Sequence, residues 1–374
     1  MNYHHRWRIA PLVVAIVCVG TLLFQARDFA STASSSSAPP TAAQMVDEFE
    51  ASAGPHPGFR RNHAKGTCIS GYFQGNGNVS ELSLASAFRP GVVPVIGRLS
   101  IAGGNPTLND ARGDVRSLSL SLQTENGELW RLAMNSTPVF PVRTPRALFE
   151  QMQAFMPDKS TGHVDPQKVE AFRQAHPEDR AFARWLANHP PSSGFDNSTF
   201  YSVNAFHFID RHQQVRAVRW AMVPESTYQP VSAEQAGGGD PDFLSYGLST
   251  RLAQGPVRWH LIITLAEPGD PTDDATRQWP ARRTHIEAGV LVIDKVESQV
   301  DGACRDVDFN PLMLPPGIEP SNDPLLLARG AAYAESHRRR LLEGGRVPAT
   351  SDPAGARAVE HCENCAVNIY GSAE

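Results

Sequence analysis

What this sequence lacks narrows its function before any motif is read. It has no basic excess, since 34 Lys and Arg stand against 39 Asp and Glu for a formal charge of -5; no nucleic-acid partner is expected on that balance. Cysteine is scarce. Cys362 and Cys365 close the chain as Cys-Glu-Asn-Cys, but no second Cys-x-x-Cys completes a zinc site, and Ala366 follows the pair where a covalent haem-attachment motif needs histidine. A disulfide or a weak metal or redox site is left for that pair, while Cys18 falls in an apolar run, Cys68 in a polar motif and Cys304 in a loop. That apolar run, Ile9 to Phe24, falls short of the roughly 20 residues of a spanning helix, and Arg27 and Asp28 interrupt where a close cleavage site would stand. His4, His5, Arg6 and Arg8 precede it, the charge pattern of an export signal. An uncleaved anchor over 1–30 is therefore expected, with the remainder outside by the positive-inside rule. Residues 31–44, rich in Ser, Ala and Pro, are too simple to pack and read as a tether.

The rest is long enough and apolar enough for one large domain or two modest ones, at 374 residues and 41% hydrophobic content. Its 29 Gly and 30 Pro favour many short elements over a helical bundle. A β-rich core with attached helices is expected over 45–345, followed by a tail over 346–374. Strands are predicted at Val92 to Ala102, Ser117 to Gln123, Leu129 to Met134, Phe200 to Phe208, Val215 to Pro224, Pro256 to Leu265 and Ala288 to Val296. Helices are predicted at Met45 to Ala53, Pro145 to Met156 and Pro166 to His189, and Pro268 to Ala275 reads as a mobile loop. Past Pro324 the chain is rich in Leu and Ala and reads as a further helix, on which Arg329, Tyr333 and His337 stand four residues apart on one face. A cation one turn from a phenol favours the phenolate, and a phenolate can bind ferric iron.

Four segments in order give that helix a context. Arg60-x-x-His63-Ala-x-Gly66 comes first, Arg98-x-Ser100 second, Asn135-x-Thr-Pro-x-Phe140 third, and Asp323-x5-Arg329-x3-Tyr333-x3-His337-x2-Arg340 last. Together they resemble the distal and proximal haem segments of haem catalases, in which the tyrosine is the iron ligand. The resemblance covers roughly Glu48 to Leu341, and the chain is similar to the small catalase-related peroxidases exported by bacteria. It implies an α+β fold with a central antiparallel β-barrel and flanking helices, one haem b, and no C-terminal flavodoxin-like extension. By the same likeness Tyr333 would ligate iron and Arg329 would hold it as tyrosinate, with Asp323 and His207 completing a relay behind Arg329. Arg60, Arg98 and Arg340 would take the propionates, with Phe140 and His337 also against the haem. His63 would be the acid-base residue, Ser100 would bond behind it, Asn135 would be the distal amide, and Asp114 would line the peroxide channel. The chemistry agrees with those residue types. Peroxide cleavage needs a group that takes a proton from one oxygen and returns it to the other, and a neutral amide stabilises developing charge without competing for that proton.

The pattern also breaks. Pro141 and Leu148 stand where catalases have aromatics, and Asn62 where they have valine, so a more open and polar pocket is expected, admitting bulkier peroxides or reductants. The implied function is a haem peroxidase that reduces hydrogen peroxide or organic hydroperoxides with small organic donors and has weak or no catalase activity. A hydroperoxide-rearranging enzyme of the same fold and a non-catalytic haem carrier or sensor are the alternatives. A monomer or homodimer on the periplasmic side of the inner membrane, or free in the periplasm if the leader is removed, completes the expectation.

Overall fold

The computed structural model describes residues 38–158 and 160–343. Alternation of apolar and polar residues builds its wall. Strand β1 (Gly66–Gly75) pairs with β2 (Gly91–Ile101), β2 with β3 (Arg116–Gln123) and β3 with β4 (Leu129–Asn135), all antiparallel. The pairing continues through β5 (Phe200–Tyr201) to β7 (Val215–Pro224), then β8 (Val257–Leu265) and β9 (His285–Ser298), which returns to β1. Because β7 pairs with β8 as well as β5, the ring closes and its strands have no free edge. Short strands β6 (Phe206–Ile209) and β10 (Ile318–Pro320) extend outward from β7. The fold is thus α+β, an antiparallel barrel with flanking helices.

The period of two sorts the side chains. Leu99, Ile101, Leu118, Leu120, Leu122, Leu132 and Met134 fill the barrel. Their neighbours Arg98, Ser100, Ser117, Ser119, Ala133 and Asn135 therefore project from its outer face. Helices α1 (Ala42–Ala53), α2 (Pro145–Phe155), α3 (Pro166–Ala175) and α4 (Asp179–Asn188) supply a second apolar cluster. It includes Met45, Leu148, Met152, Phe172 and Phe182, and Leu325 joins it from the last helix, α7 (Pro324–Glu343). Thr41 and Gln44 form a capping box at the start of α1, and Thr144 caps α2 with proline at its first position. Two further helices, α5 (Ala233–Ala236) and α6 (Phe243–Leu252), lie between β7 and β8.

Several boundaries differ from the sequence pattern for local reasons. The helix expected over Pro166 to His189 is two, because Pro177 has no N–H to give and drives His176 out of the helical region, to φ -123° and ψ 71°. The strand expected over Phe200 to Phe208 breaks at Val203, whose φ of 63° no strand tolerates. Nor is Pro268 to Ala275 a mobile loop. Asp270 holds Arg283 in a paired salt bridge, while Arg219 donates to the Asp274, Arg277 and Pro271 carbonyls. Strand β1 and helices α5 and α6 had no clear periodicity to announce them.

Cys68 on β1 and Cys304 form a disulfide with their Cα atoms 5.3 Å apart, a pairing the spacing of the cysteines did not suggest. The expected anchor over 1–30, most of the tether, and Cys18, Cys362 and Cys365 lie outside the described residues. Among the described residues no helix is long and apolar enough to cross a membrane.

Candidate active site

On the outer face of the barrel, Gly66, Ser100, Ser117 and Asn135 stand in one cross-strand row. Arg98 leans from β2 over Gly66, where an added Cβ would lie 2.7 Å from Arg98 Nη2; the motif glycine is a steric requirement. Opposite this wall α7 presents Arg329, Tyr333, Ser336 and Arg340, and α1 adds Met45, Val46 and Phe49. The space between them is about 1240 Å³ with the solvent-open mouth included.

The loop from α1 to β1 delivers His63 in the left-handed region, at φ 55°. Asn62 holds that conformation, its Oδ1 accepting from the backbone N–H of His63 (2.8 Å) and of Gly103 (3.0 Å). Asn62 is thus a structural clamp as well as a polar lining residue. The His63 Nδ1 lies 3.1 Å from Ser117 Oγ, which donates to Asn135 Oδ1 at 2.8 Å. Burial, then the charges of Arg98 and Arg329, lower the His63 imidazole to about 3. The ring is therefore neutral near pH 7 and able to take a proton.

One end of the cavity gathers guanidinium groups. Arg60 donates to the Cys304 and Val307 carbonyls (3.1 and 2.9 Å), Arg98 to Ala64 O and Gln299 Oε1 (3.0 and 2.6 Å), and Arg340 to Arg305 O (2.7 Å). Buried Nε atoms of Arg98 and Arg340 have no acceptor. Burial lowers the pKa of all three, Arg98 to about 9, and mutual repulsion lowers Arg60 and Arg98 further. Among the described residues that line the cavity, Asp308 is the only carboxylate.

At the other face, Arg329 lies 5.9 Å from the centre of the Tyr333 ring. Its nitrogens do not donate to the Tyr333 hydroxyl, as the sequence pattern had suggested, but to Asn204 Oδ1 (2.6 Å) and Ala133 O (3.0 Å). Asn204 in turn donates to Asp323 Oδ2 at 2.8 Å, while Asp323 Oδ1 accepts from Leu325 N–H at the start of α7. Asp323 is fully buried, and burial raises its pKa despite those bonds.

The cavity thus brings together Arg60, His63, Arg98, Ser100, Asn135, Phe140, Arg329, Tyr333 and Arg340, and three assignments need correction. His207 sits on β6 opposite Ala217 and Glu319; the left-handed turn at Val203 swings Asn204 behind Arg329 in its place. His337 turns to the Asp306 carbonyl at 3.0 Å. At 3.6 residues per turn its position has drifted off the face that Ser336 and Arg340 keep. Ser117, not Ser100, bonds His63. Asp114, expected along the approach to the site rather than in its wall, is half-buried within the electrostatic reach of Arg116 and is not among the residues lining the cavity itself.

A family model described as Catalase matches residues 47–348. The chain belongs to the catalase family. It is 35% identical to a catalase-related peroxidase of Synechococcus elongatus, over 91% of this chain and 97% of that one. A catalase-related peroxidase of Mycolicibacterium paratuberculosis is 29% identical over 79% and 94%. Catalase A of Saccharomyces cerevisiae superposes with a TM-score of 0.70 at 20% identity, over 76% of this chain and 62% of that one; that likeness concerns the fold.

The residues present fit the haem of a catalase-family protein. Orphaned Nε donors and mutually repelling guanidiniums at one end call for an anion, and two propionates supply one. A phenol on one wall faces an imidazole and an amide on the other, with apolar side chains such as Met45, Val46, Phe49, Phe140 and Leu325 between. Ser117 and Asn204 were not among the residues the sequence motifs singled out. The alternation Ser117-Leu118-Ser119-Leu120 did carry a signal, a polar strand face next to Asn135, whereas Asn204 lay inside an apparently continuous strand.

Proposed function

We propose that this protein is a peroxidase that uses haem b to reduce hydrogen peroxide or organic hydroperoxides at the expense of small organic electron donors, with little dismutation of peroxide. The observation that carries this reading is His63, neutral and bonded through Ser117 to Asn135, facing Tyr333 across a cavity with a cationic end. Tyr333 would hold the iron, and Arg60, Arg98 and Arg340 would hold the propionates. Haem, when bound, supplies the electrons for peroxide reduction and recovers them from the donor. His63 Nε2 takes the proton from one peroxide oxygen and returns it to the departing oxygen, and the Asn135 amide donates to that oxygen as charge develops on it. Arg329 places its guanidinium beside Tyr333, oriented by Asn204 and Asp323.

Restricted dismutation follows from the lining. Leu148 lines the cavity in place of an aromatic side chain, and polar Asn62 lies beside His63, so organic molecules gain room near the proton shuttle. The catalase-related peroxidases that match this chain over nearly their full length support the same reading. A carrier has no use for a neutral histidine tied to a distal amide. The Cys68–Cys304 disulfide suits an oxidising compartment, which with the basic residues before Ile9 supports a periplasmic location on an N-terminal anchor. We assign it as a monomer or homodimer.

The test separates the two faces. His63→Ala should retain haem and lose about 10²- to 10⁴-fold of peroxide cleavage, whereas Tyr333→Phe should lose haem binding, visible in the absorbance spectrum before any assay. Equal haem in both, or parental peroxide kinetics in His63→Ala, would overturn the reading. Peroxide consumption that needs no donor would favour rearrangement or dismutation instead.

A further inference from the structure

The Ser117 hydroxyl touches both polar groups of the distal wall, and its single proton couples their states. Its Oγ lies 2.8 Å from Asn135 Oδ1 and 3.1 Å from His63 Nδ1. An amide oxygen can only accept, so the hydroxyl proton goes to Asn135. Ser117 Oγ is then an acceptor toward His63. A neutral imidazole has one N–H, and this contact places it on Nδ1, leaving the lone pair on Nε2; the Ile101 carbonyl is a further acceptor beside the ring. With its oxygen turned to Ser117, Asn135 keeps its NH2 for the cavity. The reverse arrangement is self-consistent too: an amide NH2 on Ser117 would send the hydroxyl proton to Nδ1, leaving Nε2 protonated and an amide oxygen toward the cavity. Only the first arrangement offers a base and a donor together.

We propose that Ser117 is a positioning residue that sets the tautomer of His63 and the orientation of Asn135 as one coupled unit, the role that the motif serine, Ser100, was expected to play for His63 alone. Ser117 is buried near the start of β3, and its cross-strand partners are Ser100 on one side and Asn135 on the other. The position of the hydroxyl is therefore set by strand register rather than by a loop. Ser100 lines the same cavity one strand over, near enough to serve as an internal control. The inference rests on the cavity being a peroxide site, and its test is arranged so that the two can fail separately.

Two ligand probes of the haem-loaded protein report the two groups without turnover. Hydrogen cyanide must surrender its proton to a base as it binds ferric haem, so its association rate reports the His63 lone pair. The C–O stretching frequency of the ferrous carbonyl adduct reports a nearby N–H donor. Ser117→Ala should slow cyanide association about tenfold, the scale of one lost hydrogen bond, and raise the C–O frequency, with haem content unchanged. Ser117→Thr, which keeps the hydroxyl, should restore both, and Ser100→Ala should alter neither. Should Ser117→Ala disturb haem loading, Ser117→Cys, of similar bulk and a poor donor, should give the same two changes. Unchanged signals in Ser117→Ala, or the same changes from Ser100→Ala, would overturn the coupling. If His63→Gln and Asn135→Ala also leave both probes unmoved, the peroxide-site reading fails with it.

Discussion

Replacing Cys68 and Cys304 together by alanine removes a covalent tie between β1 and the segment that leads to α7, directly behind the cavity. The two cysteines are 236 residues apart. Loop-closure entropy for a loop of that length corresponds to about 5.5 kcal/mol at 25 °C, an upper figure, since removing a native disulfide typically costs about 2–5 kcal/mol. Both positions are buried against Phe309, Val307 and Tyr333, so alanine is the better substitution; serine would add unsatisfied hydroxyls and confuse the reading. In urea, with a slope of about 3 kcal/mol/M or more for a domain of this size, the midpoint should fall by roughly 1 M. The site should feel it too, because Arg60 donates to the Cys304 and Val307 carbonyls and Tyr333 packs on the same cluster. Urea unfolding of the haem-free protein, with haem retention measured separately, tests both effects. An unchanged midpoint, or two free thiols titrated at these positions in the native protein, would refute the argument.

Arg98→Gln should weaken haem affinity by about 10- to 100-fold, as charge-assisted hydrogen bonds are worth about 1.5–3 kcal/mol, and haem transfer to an apo-acceptor protein would measure it. Asn204→Ala leaves Arg329 and fully buried Asp323 each short of a partner. It should destabilise by about 1–3 kcal/mol and shift the haem absorbance, and a denaturation curve and spectrum matching the parent would remove Asn204 from its bridging role. The His63 pKa lies below its unfolded value of 6.5, at about 3 in the haem-free cavity. Between those values the unfolded chain binds a proton that the native one does not, so stability is full above pH 6.5 and falls as pH falls toward 3. Comparing unfolding midpoints of the haem-free protein and His63→Gln across that window checks it: the variant should decline less steeply.

The four motifs were legible because each is short and each ties one residue type to one chemical role, an imidazole, an amide, a phenol and guanidiniums, in fixed order along the chain. Periodicity likewise placed α1, α2 and strands such as β2, β7 and β8, whose apolar faces must be buried wherever the chain goes, and helix-favouring Leu and Ala placed α7. Local pattern could also announce that Ser117-Leu118-Ser119-Leu120 has one polar face, but not that this face meets His63, which is brought to it by a left-handed turn clamped by Asn62. Relations between distant segments depend on register and on backbone turns, and these are decided only when the barrel closes. So the strand break at Val203 exchanged His207 for Asn204 behind Arg329, and helical drift carried His337 off the face that Tyr333 and Arg340 share. The pairing of Cys68 with Cys304 has the same origin: nothing in their spacing joins them, and only the packing of β1 against the approach to α7 brings their Cα atoms to 5.3 Å.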